Sequence, residues 1–244
     1  WPVIRLLQLV GRWPGALTRI MNRALGRFGP YRPGAHDVLV CSYFKSGTNW
    51  TMHTAVQIAH LGQASFGHIH DLVAWPETQR GRFSLTVPIA DESPWRNAPT
   101  GLRVIKTHLP MNKVPYSVAA RDIVVVRDPK DVFVSSYHFT RDTVLGPLMP
   151  SKALWLQTFL SPDCISGSWA EHLASGWRLR QRDNVLFLTY EEMKRDLPAA
   201  VRRIAALMNV TLSPGQFNEV VRQSSFAHMK QIGMKFDISR FKRP

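Results

Sequence analysis

The sequence predicts a single α/β domain with a mainly parallel central sheet flanked by helices. Four short runs of branched and large apolar residues read as strands: Asp37 to Cys41, Leu102 to Ile105, Asp122 to Val126 and Asn184 to Leu188. Segments of helical period separate them, at Thr48 to Leu61, Pro129 to Phe139, Ser168 to Arg182 and Glu191 to Met208. Strands buried on both faces are continuously apolar, and intervening helices supply the crossovers a parallel sheet needs. A length of 244 residues fits one large domain of this class.

Ahead of the first strand, residues 1–36 read as a basic amphipathic helical segment. Apolar residues recur at helical spacing from Val3 to Phe28, and Arg5, Arg12, Arg19, Arg23 and Arg27 share one stripe. Pro14 divides it into two short helices, and the glycines and prolines of residues 29–34 end it. Packing on the chain's own domain is the plainer expectation; peripheral contact with an anionic membrane surface or a lipid-like acceptor is the sharper one. Residues 37–244 form the α/β domain. Within it, Ile69 to Pro99 is an irregular excursion over the sheet edge, the kind of long loop that walls a pocket. Its aromatic and proline residues Trp75, Phe83, Pro88 and Trp95 read as cover for the core, with contact to an acceptor as the alternative.

Composition excludes several classes. Hydrophobic residues make up 45% and charged residues 20% of the chain, the balance of a globular protein and not of a disordered one. No apolar run approaches the ~20 residues that cross a bilayer, because Arg5, Arg12 and Pro14 interrupt the candidate near the start. Cys41 and Cys164 stand far apart with no metal-type spacing, so neither a disulfide scaffold nor structural zinc is supported and a reducing, cytoplasmic compartment is expected. His68, His70 and Asp71 lack a third spaced ligand and are assigned no metal. His53, His60 and His138 fall on predicted helices, as packing or hydrogen-bonded residues.

The formal charge of +14 invites a nucleic-acid reading. Its placement argues otherwise. Residues 1–36 hold six Arg and no acid, residues 222–244 hold six Lys/Arg and one acid, and the 185 residues between carry 19 Lys/Arg against 16 Asp/Glu. Phosphate-backbone binding needs many cations on one continuous face, so no nucleic-acid partner is assigned. Basic ends plus a local anion site suit a charged small-molecule substrate better.

That local site is visible at Phe44-Lys45-Ser46-Gly47-Thr48-Asn49-Trp50, between the first strand and its helix. A helix N-terminus offers unpaired N–H groups and positive dipole, and this loop adds hydroxyls, an amide and a full cation. The nucleoside-triphosphate loop G-x-x-x-x-G-K-[ST] is not matched. Lys106 and His108 stand at the exit of the second strand, two residues apart and so on one side of an extended chain. Arg127 stands at the exit of the third, with Ser135 on the helix that follows. Three strand ends of one parallel sheet converge on one crevice.

These motifs together resemble the cytosolic-type sulfotransferase family. Ser42 to Trp50 resembles its 5′-phosphosulfate loop, commonly Y-P-K-S-G-T-[TN]-W, a P-loop-like element. Lys106-Thr107-His108-Leu109-Pro110 and Arg127 to Phe139 are similar to its catalytic strand end and 3′-phosphate motif, and the similarity extends through Leu188 to Lys194 and Ser224 to Lys230. The resemblance implies 3′-phosphoadenosine-5′-phosphosulfate (PAPS) as donor, 3′-phosphoadenosine-5′-phosphate (PAP) as product, no metal, and a small lipophilic or phenolic acceptor. It implies that Lys45, Ser46, Gly47, Thr48, Asn49 and Trp50 hold the phosphosulfate, that Arg127 and Ser135 hold the 3′-phosphate, and that Tyr190, Ser225, Phe226 and Met229 line the adenine side. Ser135 would also hold Lys45 until the acceptor arrives.

Physical chemistry assigns the catalytic roles. A hydroxyl is a poor nucleophile at neutral pH, and His108 is the candidate base. Charge grows on the leaving phosphate in the transition state, which makes Lys45 the first and Lys106 the second candidate to stabilise it. Two departures from the family pattern stand out: Phe44 replaces the proline before the lysine, and the late R-K-G…G-D-W-K element that clasps the 3′-phosphate is missing from these 244 residues, with only Arg240, Lys242 and Arg243 as cations there. Weak donor affinity and uncertain activity are expected if the protein itself lacks that element. The rival readings are a nucleotide or small-molecule kinase and a non-catalytic adenosine-bisphosphate binder.

Overall fold

The computed structural model describes residues 28–79, 86–161, 164 and 166–237. The basic segment of residues 1–27, Phe83, and the cations Arg240, Lys242 and Arg243 lie outside the described residues.

Strands β1 (Asp37–Ser42), β2 (Arg103–Thr107), β3 (Arg121–Val126) and β4 (Val185–Thr189) form one sheet in the order β2-β1-β3-β4, with every pairing parallel. All six residues of β1 are buried, as a strand covered on both faces must be. Alternate side chains feed two layers. Val38 and Val40 join Met52, Ile58, Val104, Ile123, Val201 and Ile204 on one face, while Leu39 and Cys41 join Phe28, Ile105, Met111 and Val124 on the other. The predicted strands match to within two residues at each end.

Helix α1 (Thr48–Ala59) follows β1, then the short α2 (Ser93–Arg96), α3 (Pro129–Thr140), α4 (Lys152–Leu160), α5 (Trp169–Trp177), α6 (Tyr190–Arg195), α7 (Leu197–Leu207), α8 (Pro214–Gln223) and α9 (Phe226–Gln231). The expected helix Glu191 to Met208 is two. Asp196 takes a non-helical conformation and its side chain accepts from the Ala199 N–H, and Pro198 sits in the first turn of α7, a cap and a donorless residue that together start a new helix. The helix expected to reach Arg182 ends at Trp177. Gly176 in it lets the backbone meet the sheet: a Cβ there would lie 2.6 Å from Val124 Cγ1.

The excursion expected from Ile69 to Pro99 contains two 3-10 turns, Ile69–Asp71 and Pro76–Thr78, and is tied to β2 by a bridge between Ala74 and Ile105. The amino end of the sheet is fixed by a buried ion pair. Asp37 accepts from Arg103 Nε at 2.8 Å, from the Gly34 N–H at 2.7 Å and from the Tyr31 hydroxyl at 2.5 Å.

Because β2 and β3 flank β1 on opposite sides, the connections leaving β1 and β3 diverge at the carboxyl edge. Ligands bind at that switch point in open α/β sheets.

Candidate active site

The loop after β1 turns sharply. Lys45 adopts φ +66°, Gly47 φ +93°, and the Ser46 N–H donates to the Tyr43 carbonyl at 3.1 Å. Helix α1 then starts with no side-chain cap and no acid in its first turn, which leaves its leading N–H groups and the positive end of its dipole open to an anion. Thr48 Oγ1 is 2.6 Å from Ser42 Oγ. A Cβ at Gly47 would sit 2.7 Å from Tyr190 Cδ2, so the glycine serves both the left-handed turn and the close approach of an aromatic ring.

The three strand ends meet. A cleft of about 400 Å³ is lined by Lys45, Gly47, Thr48, Asn49 and Trp50 from the first, Lys106 and His108 from the second, and Arg127 and Ser135 from the third, with Tyr190, Phe226 and Met229 on one wall. Ser46 lies beneath the loop, fully buried, and Ser225 caps α9 by accepting from the His228 N–H; neither borders the cleft. Arg127 ties two strand ends together, donating from Nη1 to the Lys45 carbonyl at 3.2 Å with its guanidinium 4.5 Å from the Tyr190 ring centre. Trp50 lies edge-on to Tyr190, and its Nε1 donates to the Ser224 carbonyl at 2.6 Å.

His108 Nδ1 is 2.8 Å from the Ser42 carbonyl oxygen. A carbonyl only accepts, so Nδ1 carries the proton and Nε2 is left as the basic nitrogen. Its ring stands edge-on between Phe44, at 6.1 Å, and Trp75, at 5.5 Å. Part of the imidazole faces the cleft, yet enclosure, reinforced by the charge of Lys106, holds its pKa well below the ordinary histidine value. The ring is therefore neutral at neutral pH. Lys106 is buried with its ammonium 3.6 Å from the Trp75 ring centre; burial pulls its pKa down to about 7, opposed by Glu77 and aided by Lys45. Burial, then the charge of Arg127, lowers the Lys45 pKa as well. The Lys45 ammonium rests 4.2 Å from the Phe139 ring centre. The expected contact with Ser135 is not among the hydrogen bonds of the described residues.

Three participants escaped the sequence reading. Trp75 was expected to cover the core, but it walls the cleft beneath Lys106. Phe139 and Glu77 were not singled out; Glu77 is buried and accepts from Thr107 Oγ1 and the His108 N–H. Trp95, by contrast, stacks on His36 at 4.7 Å, beside a separate open depression of about 540 Å³ at the amino ends of the strands. That depression offers one cation, Arg121, and lacks the lysines and the oriented imidazole. Elsewhere, His70 Nδ1 donates to the Val73 carbonyl, and His53 Nε2 donates to the Gln223 carbonyl, the hydrogen-bonded role expected for His53. No group of three His, Cys, Asp or Glu among the described residues could hold a metal ion.

A parallel sheet whose switch-point loops present an uncapped helix start, two lysines, an arginine and an oriented neutral imidazole defines an enzyme that transfers an anionic group. The chain belongs to the sulfotransferase domain family, whose family model matches residues 35–242; it is a sulfotransferase. It is 31% identical over 210 residues to sulfotransferase 2A1 of Rattus norvegicus, covering 81% of this chain and 68% of the relative. With the 3-beta-hydroxysteroid sulfotransferase of Cavia porcellus it shares 30% identity over 207 residues, covering 80% and 66%. Among solved structures it is similar to mouse sulfotransferase SULT7A1 complexed with PAP, with a TM-score of 0.64 and 28% identity over 82% of this chain and 67% of that one. Retinol dehydratase in complex with androsterone and PAP shares the fold, at a TM-score of 0.67 and 21% identity over 86% of this chain and 70% of that one.

Proposed function

We propose that the protein moves a sulfuryl group from PAPS to the hydroxyl of a small lipophilic or phenolic acceptor. The observation that carries this reading is the meeting of Lys45, Lys106, His108 and Arg127 in one cleft. A relative named as a 3-beta-hydroxysteroid sulfotransferase favours the lipophilic class.

The residues present fit the donor. Ser46 Oγ and Arg127 Nε are buried with no hydrogen-bond partner, and buried donors of that kind are stabilised by an anion. Lys45, Gly47, Thr48, Asn49 and Trp50 hold the phosphosulfate, with the buried Ser46 hydroxyl behind them, Arg127 and Ser135 the 3′-phosphate, and Tyr190, Phe226 and Met229 the adenine side, while Ser225, expected there, is occupied capping α9. Bound PAPS supplies a sulfuryl group whose sulfur–oxygen bond to the 5′-phosphate breaks as the bond from sulfur to the acceptor oxygen forms.

His108 Nε2 takes the acceptor proton as that oxygen attacks, a contribution of ~10²- to 10⁴-fold. The products are the sulfate ester, PAP and a protonated imidazole that returns its proton to solvent. Lys45 and Lys106 oppose the charge that develops on the leaving oxygen. The test is transfer of radiolabelled sulfate from PAPS to a panel of phenols, alcohols and sterols. Ester formation without added metal is expected, and magnesium-dependent phosphate transfer from ATP in its place would overturn the assignment.

The reading also has the protein in the cytoplasm, with the basic N-terminal segment of residues 1–36 in peripheral contact with anionic membrane. Co-sedimentation with vesicles containing phosphatidylserine should fall when Arg5, Arg12 and Arg19 are replaced by glutamine; unchanged sedimentation removes the membrane contact.

A further inference from the structure

Glu77 takes no part in the chemistry above, yet it is the acid placed at the catalytic strand end. It sits on the Pro76–Thr78 turn and is 6% exposed. Its Oε1 accepts twice from the turn that leaves β2, from Thr107 Oγ1 at 2.9 Å and from the His108 N–H at 2.6 Å. Its Oε2 is buried with no hydrogen-bond partner. The same turn is fastened to β2 by the Lys106 N–H, which donates to the Ala74 carbonyl at 2.8 Å. Trp75, next but one to Glu77, carries the Lys106 ammonium on its ring.

We propose that Glu77 is a positioning residue for sulfuryl transfer: its carboxylate clamps the Thr107–His108 turn that aims the imidazole, and supplies the counter-charge that keeps Lys106 cationic in the cleft. The inference rests on the proposed sulfuryl transfer and extends it.

Two features make the carboxylate act on charge as well as on shape. Burial raises the Glu77 pKa, and the two hydrogen bonds accepted by Oε1, with the charge of Lys106, oppose that rise and favour the ionised acid. Lys106, for its part, is buried; the charge of Lys45 disfavours its ammonium form, the His70 and His108 rings are neutral, and the charge of Glu77 favours it. Burial, then the charges of Asp122 and Glu77, push the Cys41 thiol pKa up, so it stays protonated. A lysine is cationic below its pKa, so removal of the Glu77 charge empties the cationic form at lower pH. The alkaline limb of activity should then move down the pH scale.

The experiment is the pH profile of kcat/KM from pH 5.5 to 9.5 for the wild type, Glu77→Gln and Lys106→Arg, with PAP affinity measured alongside. Glutamine preserves the oxygen that receives Thr107 and His108 while losing the charge. Its alkaline limb is expected about one pH unit lower, which is roughly a tenfold loss above the limb and little loss below it. PAP affinity is expected within about twofold of wild type, since Glu77 lies off the residues assigned to the donor. Arginine stays charged throughout and should flatten the alkaline limb; that arm stands even where Glu77→Gln does not fold. An alkaline limb that stays in place in Glu77→Gln, or one that persists in Lys106→Arg, overturns the role of Glu77. A wild type that transfers no sulfuryl to any acceptor overturns this role and the proposed function together, whereas an active wild type with an unshifted limb overturns this role alone.

Discussion

Replacing Gly47 with alanine meets two separate obstacles at the phosphate loop. The residue sits at φ +93°, a conformation that costs a non-glycine residue about 1–2 kcal/mol. The new Cβ would also stand 2.7 Å from Tyr190 Cδ2 and 3.3 Å from Cε2, closer than packed carbons approach. Relieving such overpacking costs about 1–3 kcal/mol. The two terms together, about 2–5 kcal/mol, correspond to a fall in Tm of roughly 4–20 °C for a chain of this size. Tyr190 also supports the Arg127 guanidinium and the edge of Trp50, so displacing its ring disturbs the donor site as well as the fold. Calorimetric titration with PAP and thermal denaturation of Gly47→Ala and of Gly47→Ala/Tyr190→Ala separate the terms. Measured against Tyr190→Ala alone, the glycine substitution in the double variant should show only the conformational share of the stability loss. A single variant with wild-type Tm and PAP affinity would refute the reasoning.

Other consequences can be measured in the same way. Arg103→Leu strands the buried Asp37 carboxylate, and breaking a buried pair from one side costs about 3–5 kcal/mol, which urea denaturation will register as a lower midpoint. Asp122 is buried and its pKa is pushed up to about 7 by that burial. A raised folded pKa gives stability that is complete below the unfolded value near 4 and is lost as pH climbs toward 7. Asp122→Asn should therefore match wild type in Tm near pH 4 and exceed it by a widening margin up to pH 8, by as much as roughly 4 kcal/mol; a constant margin would contradict this. Arg127→Ala should weaken PAP binding by roughly tenfold or more, as loss of a charge-assisted contact to phosphate does, and isothermal titration checks it.

The sequence carried the strands, the loop after β1 and the convergence of the three ends, because buried parallel strands and helix starts leave a local signal in residue type and spacing. Lys45, Lys106, His108 and Arg127 could be named from where they stood relative to those strands. Glu77 could not. Its role depends on which turn of an aperiodic excursion lies against β2, and the Ala74–Ile105 bridge that decides this is a contact between segments 31 residues apart in sequence. Trp75 stayed undecided between core and cleft for the same reason, since nothing local distinguishes a tryptophan covering the core from one beneath an ammonium. The break at Asp196 was legible: an aspartate followed by Leu197 and Pro198 is a helix start, outweighed in the reading by the helical period running through it. The tautomer of His108 belongs to the fold alone, because the Ser42 carbonyl that sets it comes from another strand.

Single-turnover sulfuryl transfer by His108→Ala tests the central claim most directly. With radiolabelled PAPS and a phenol at pH 7, the variant is expected to bind PAP as the wild type does and to form ester at least ~10²-fold more slowly. Ester formation within a few fold of the wild-type rate, with PAP still bound, would contradict the assignment of the Nε2 lone pair as the base.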